Sequence, residues 1–99
     1  MREVDFSKFL INDNQISSKD KAVRSRISKA RLVEDRFNVN LDQIVKDDKK
    51  VYDLLNRIKN ELNDSNGAIQ NSVRKYYIFV NKTAFPTLSK YEKNNLISR

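Results

Sequence analysis

Apolar side chains recur three and four positions apart along almost the whole chain, and this spacing limits the possible folds more than any other feature. It is the spacing of one face of an α-helix, whereas no stretch alternates between apolar and polar residues for long enough to predict a strand. The clearest run comprises Val51, Leu54, Leu55, Ile58 and Leu62. The 99 residues include one Gly and one Pro and fit a single domain. We therefore predict an all-α fold, a compact bundle of four to five helices.

Capping residues and turns divide the periodic pattern into separate helices. Asp5, Ser17 or Ser18, and Asn40 are candidate N-caps, and the Asn-Asp-Ser-Asn-Gly segment at 63–67 is the strongest turn signal. We predict five helices: residues 5–13, residues 18–37, a single turn after Asn40, a helix that starts at Asp47-Asp48 and stops before the turn at 63–67, and residues 68–81. Their predicted buried faces include Phe6 and Leu10, then Val23, Ile27, Ala30, Val33 and Phe37, then Leu41 and Val45, then Val73, Tyr76, Tyr77 and Val80.

The segment that follows the fifth predicted helix is mainly polar. We place the domain at residues 1–82 and treat residues 83–99 as a C-terminal tail or linker. This segment either adds a turn of helix around Leu88 and Tyr91 or is a linker. We find no signal peptide and no apolar stretch of about 18 residues. The expected location is cytoplasmic, with no membrane contact.

The composition excludes most familiar enzyme sites. With no His and no Cys, the chain lacks the residues of a zinc finger, an iron–sulfur cluster, a disulfide framework and the common nucleophile systems. The single Gly excludes glycine-rich phosphate loops. The adjacent acidic pairs Asp47/Asp48 and Glu34/Asp35 make a poor metal or acid–base site, because neighbouring side chains diverge on a helix. We therefore expect no cofactor, no metal and no enzymatic activity.

The net charge of +7 is concentrated in two segments. Residues 19–33 carry six basic residues against Asp20, and residues 65–99 carry six against Glu92. At about 100° per residue, the second helix presents a stripe away from its apolar face, formed by Lys21, Arg24, Ser28 and Arg31. The fifth helix similarly presents Gln70, Asn71 and Arg74 opposite its apolar face. Such side chains reach phosphates or base edges, although a basic helix face is often simply solvated.

Two stretches carry a resemblance to a known family. Residues 22–37, preceded by Ile16-Ser17, and residues 72–80, preceded by Asn66-Gly67, resemble the second and last helices of the core-binding domain of tyrosine recombinases, the SAM-like module of phage integrases. The resemblance covers residues 5–82. It implies that these two helices lie against double-stranded DNA, with phosphate contacts from Lys19, Lys21, Arg24, Ser28 and Arg31 and with Asn71 and Arg74 in or beside a groove.

The resemblance implies a role in DNA integration or recombination without strand cleavage, because the family's catalytic Arg, Lys, His and Tyr constellation has no counterpart here. The protein would be a monomer alone, assemble on DNA, and act with a catalytic domain in cis or with a protein partner. Contacts with four to six phosphates predict that log K falls with log[salt] with a slope of about −4 to −5. The alternative is a small phage or mobile-element module that docks on an acidic protein, with Leu32, Ile78 or the tail as its apolar anchor.

Overall fold

The computed structural model describes residues 1–13 and 19–95, and within these ranges all regular secondary structure is α-helical. The predicted all-α class is confirmed, and the structure has one helix more than the five that were predicted. The helices are α1 (Glu3–Ile11), α2 (Lys19–Phe37), α3 (Leu41–Ile44), α4 (Asp48–Glu61), α5 (Ala68–Asn81) and α6 (Leu88–Asn95).

Helix α1 begins two residues before the predicted start, and the prediction that Asp5 caps it is wrong. Arg2 is the N-cap and makes no side-chain capping bond, while Glu3 and Asp5 both lie in the first turn. Acidic side chains are favourable throughout the first turn, because the helix dipole and the free amide groups extend over it. Charge alone therefore could not separate a cap from the residues that follow it.

The long helix α2 agrees with its predicted span from residue 19 onward, and the candidate caps Ser17 and Ser18 lie outside the described residues. It ends at Phe37, after which Asn38 has a φ of 53°. Asn tolerates this left-handed conformation better than most residues, and it commonly terminates a helix. Leu32 of α2 is 43% exposed.

Helix α3 begins with its predicted side-chain cap, and α4 begins at the predicted Asp47-Asp48 position with an Asp47 side-chain cap that was not predicted. The Asn40 side chain accepts a hydrogen bond of 2.9 Å from the amide of Asp42. The Asp47 carboxylate accepts bonds of 3.0 Å from Lys49 N and 3.4 Å from Lys50 N. These bonds satisfy amides that have no partner within the helix, so they fix where each helix starts.

Helix α5 lies at the centre of the domain and packs against α1, α2, α3 and α4. Its Val73 and Tyr76 are fully buried, as are Phe6 of α1, Val33 of α2 and Leu55 of α4. The whole buried apolar set is Phe6, Leu10, Val23, Ile27, Ala30, Val33, Phe37, Leu41, Val45, Val51, Leu54, Leu55, Ile58, Val73, Tyr76, Tyr77, Phe85 and Tyr91. The predicted inward faces of α2 and α4 are thereby confirmed, while Val80 is only half-buried.

A buried carboxylate organises the start of α5. Gly67 takes a left-handed φ of 75° and offers no side chain to the helix, and Asp64 replaces the missing cap. The two Asp64 carboxylate oxygens accept bonds of 3.1 Å from Ile69 N and 2.9 Å from Gln70 N. Asp64 is only 6% exposed, so its charge is compensated by these amides and by the positive end of the helix dipole.

The segment after residue 82 contributes to the same core through aromatic rings. Phe85 lies 5.2 Å from the Tyr77 ring and 5.4 Å from the Tyr91 ring, measured between centroids, and Tyr91 stacks on Tyr52 at 4.9 Å. Offset and edge contacts of this kind add to the free energy gained from burial. Of the two alternatives for this segment, the structure has the helical one, α6, which the Tyr91 ring anchors to α4.

Two buried tyrosines donate hydrogen bonds from their hydroxyl groups to carboxylates. Tyr76 donates to Asp42 and accepts a bond of 2.9 Å from the amide of Arg2, and Tyr77 donates to Asp48 over 2.8 Å. Burial, together with the adjacent carboxylate, raises the pKa of each phenol to about 12. Both rings belong to the core, as predicted.

Candidate nucleic-acid interface

The predicted stripe on α2 is exposed along the part of the chain that the structure describes. Lys21, Arg24, Ser28 and Arg31 are all exposed, while the side chain of Lys19 lies outside the described residues. The Arg24 guanidinium makes only a long bond of 3.4 Å to the Asp20 carbonyl of its own helix. The local periodicity of α2 therefore predicted the exposure of these side chains correctly.

Arg31 differs from the other members of the stripe because an acidic residue of α1 binds it. Glu3 accepts a bond of 2.7 Å from Arg31 Nε through one oxygen and a second, shorter bond from Arg31 Nη2 through the other. This bidentate pairing raises the pKa of Arg31 and lowers the pKa of Glu3. Both side chains are largely exposed, so solvent screens the pair and a phosphate can compete for Arg31.

Helix α1 runs beside the stripe and forms a groove with it. One cavity of about 390 Å³ between the two helices is lined by Val4 and Ser7 on α1 and by Arg24, Ser28 and Arg31 among others on α2. Val4 is 69% exposed at the edge of this groove. A ligand that contacts the stripe would therefore also meet the N-terminal turns of α1.

The predicted polar face of α5 is mostly engaged inside the domain. The Gln70 side-chain amide lies 3.3 Å from Asp64 Oδ2, and Arg74 donates to the carbonyl oxygens of Phe85 and Pro86 over 3.0 and 3.1 Å. Burial lowers the pKa of Arg74. Gln70 and Arg74 thus support the start of α5 and its connection to α6.

Asn71 is the exposed member of the α5 set, but it does not lie beside the α2 stripe. It lines a cavity of about 190 Å³ between α2 and α5, together with Ala68 and with Ser25, Arg26 and Lys29. On a helix of 100° per residue, these three α2 residues lie about 80° to 180° away from the stripe's average direction. The sequence did not connect Asn71 with Arg26 and Lys29, because only the packing of α5 on α2 brings them together.

Four basic residues of α2 have no acidic partner among the described residues, whereas Arg31 is paired with Glu3. Elsewhere, Arg2, Lys49, Arg57 and Lys75 form ion pairs with Asp42, Asp53, Glu61 and Asp13. Within residues 1–13 and 19–95, no ion pair involves Lys21, Arg24, Arg26 or Lys29. Unpaired cations at neighbouring positions raise the local positive potential, which attracts polyanions.

Other ligand types find little support in the described residues. No group of three or more acidic, His or Cys side chains there could hold a metal ion. None of the described helices is both long and apolar enough to cross a bilayer. No protein-family model, curated protein or solved structure matches the chain.

Proposed function

We propose that this domain binds double-stranded DNA through the exposed stripe on α2. The observation that carries the proposal is the uncompensated charge of that helix: from residue 21 to residue 33 it has five basic residues and no acidic residue. Lys21 and Arg24 face solvent without an ion pair, and Ser28 lies between them and Arg31 on the same flank. From Lys21 to Arg31 the stripe is about 15 Å long, which is comparable to the width of a major groove of about 12 Å.

The contacts to phosphates supply affinity, and the side chains between them touch the groove. Lys21, Arg24 and Arg31 neutralise about three phosphates, so log K should fall with log[salt] with a slope of about −3. This is shallower than the slope of about −4 to −5 expected from the sequence, because it counts only the three basic residues of the stripe. The resemblance of residues 5–82 to the core-binding domains of tyrosine recombinases supports the same proposal, with the DNA cut by another domain or protein.

The test is a titration of fluorescent duplex DNA with the domain at several salt concentrations. The double variant K21Q/R24Q should bind at least tenfold more weakly, and its salt slope should fall by about 2, because two phosphate contacts are lost. The matched control is K50Q/K59Q, which removes the same charge from exposed positions on α4. Equal losses in the two double variants, or an affinity that does not depend on salt, would contradict the proposal.

Removal of the Glu3 carboxylate should have the effect on DNA binding opposite to that of K21Q/R24Q. Glu3→Gln removes the carboxylate that competes with phosphate for Arg31, so it should strengthen DNA binding severalfold. Because the pair is exposed, the fold should lose little stability. A Glu3→Gln variant with weaker DNA binding would mean that Arg31 does not contact the duplex.

A second candidate function is docking on an acidic protein. It is favoured by two exposed apolar side chains of α1. Val4, 69% exposed, lies on the groove beside Arg24, and Ile11, 50% exposed, lines a second cavity that Arg24 also borders. An apolar pair next to a cation fits an amphipathic acidic segment. Of the anchors expected from the sequence, Leu32 is exposed and Ile78 is half-buried. Stoichiometric binding of one protein after nuclease treatment, lost in the variant V4S/I11S, would favour this function over DNA binding.

A further inference from the structure

The cavity between α2 and α5 combines cations and polar groups in one small space. Arg26 and Lys29 lie on its α2 side with Ser25, and Asn71 lies on its α5 side with Ala68. No acidic residue lines it, although the chain has 13 Asp and Glu residues. Asp64, which caps α5, is not among the lining residues. The cavity therefore offers hydrogen-bond donors and positive charge with no carboxylate to neutralise them.

One of these donors lacks an acceptor within the described structure. Arg26 Nε is buried from solvent and makes no hydrogen bond. Leaving a charged donor buried and unpaired is unfavourable, because the group has lost its hydration without replacement. Within the described residues, the Lys29 ammonium donates to Ser25 Oγ and forms no ion pair. An oxyanion in this cavity would supply the missing negative charge to both cations.

We propose that this cavity, formed by Arg26, Lys29, Ser25 and Asn71, binds a terminal phosphate group, a phosphomonoester or inorganic phosphate. Two cations match the dianion that such a group carries at neutral pH, since its second pKa is about 6. An internal phosphodiester of DNA carries a single charge, so it matches the pair less well. The volume of about 190 Å³ accommodates a phosphate and part of an attached sugar.

This site differs from the DNA-binding stripe and goes beyond the proposed function. The stripe lies on the α1 side of α2, whereas the cavity lies on the side that faces α5. The phosphate could belong to a free nucleotide or to the 5′ end of a DNA strand, and these sources share the same chemistry. Each surface can be altered without touching the other, so the failure of one proposal is distinguishable from the failure of the other.

The experiment is an NMR titration of the domain with inorganic phosphate, at constant ionic strength maintained with chloride. We expect saturable shifts of the Ser25, Lys29 and Asn71 amides. Asn71→Asp is the decisive variant, because it places a negative charge in the cavity at an exposed position without changing side-chain size. It should weaken phosphate binding at least tenfold. Gln43→Glu, an exposed position on α3 that is outside the cavity lining, is the matched control and should leave the binding unchanged.

Two further variants separate this site from the stripe. K29Q should weaken phosphate binding and leave the affinity for duplex DNA without terminal phosphates within about twofold, whereas K21Q/R24Q should do the reverse. A duplex with 5′ phosphates that binds more tightly than one with 5′ hydroxyls, with the difference lost in Asn71→Asp, would assign the phosphate to a DNA end. Equal binding of the two duplexes, together with saturable phosphate binding, would assign it to a free small molecule. Non-saturable shifts, or unchanged phosphate binding in both Asn71→Asp and K29Q, would overturn the proposal.

Discussion

Alkaline pH is expected to unfold the domain through its two buried tyrosines. The pKa of a tyrosine in an unfolded chain is about 10, and burial next to a carboxylate raises the pKa of Tyr76 and Tyr77 to about 12. Between these values the unfolded chain loses its phenol protons first. The stability due to the neutral phenols is therefore complete below about pH 10 and is lost as the pH rises to about 12.

The size of the effect follows from the two shifts. Each pKa unit corresponds to about 1.36 kcal/mol, so ionisation of the two tyrosines together removes about 5 kcal/mol of stability. A domain of this size is stable by only about 5–15 kcal/mol in total. Loss of the tyrosine contribution should therefore lower the urea midpoint steeply above about pH 10.

Lysines also titrate in this pH range, but they do so equally in the wild type and in the variant Tyr77→Phe. A comparison of these two proteins therefore isolates the effect of the tyrosine. Near pH 8 the variant should be less stable than the wild type by about 1–2 kcal/mol, because it lacks the hydrogen bond to Asp48. Near pH 12 it should be the more stable of the two, because only one tyrosine remains to ionise. Urea unfolding at a series of pH values, with tyrosinate absorbance as a second signal, measures both. Stability curves that stay parallel over this range would refute the argument.

Two substitutions test the packing around α5. Asp64→Ala should lower the free energy of unfolding by about 2–3 kcal/mol, because two buried amides lose their acceptor. Asp47→Ala, at the exposed cap of α4, should lower it by about 1 kcal/mol. Equal losses in urea unfolding would contradict a special role for Asp64. Ser72→Ala should raise the free energy of unfolding by about 1 kcal/mol, because the Ser72 hydroxyl is buried and has no partner in the described structure. A lower urea midpoint for Ser72→Ala would mean that the hydroxyl does form a bond.

Local patterns were sufficient to predict most of the helices. The predicted span of α5 agrees with the observed Ala68–Asn81, because apolar periodicity, a turn and the glycine before it all indicate the same boundary. Helix α6 has no comparable pattern. It is held by Tyr91, whose ring contacts come from Phe85 nearby and from Tyr52 on α4, 39 positions earlier. Such a partner is set by the tertiary fold and leaves no trace in local spacing.

The candidate site shows the same division between local and distant effects. The exposure of Lys21 and Arg24 follows from the periodicity of their own helix. The pairing of Arg31 with Glu3 and the engagement of Arg74 by the carbonyls after α5 depend on how helices pack. The cavity at Asn71 likewise exists only because α5 crosses α2 at that point. Sequence reasoning identified basic faces, but it could not state which cations would be free on the same surface.

The central position of α5 has a consequence for synthesis of the chain. A ribosome makes the protein from its N-terminus, so α1, α2, α3 and α4 all emerge before the helix against which they pack. Until Val73 and Tyr76 have left the ribosome, the apolar faces of these helices have no shared partner and remain open to water or to chaperones. The nascent chain therefore completes its core in a late step, and full protection from proteolysis should begin only when α5 is free to dock.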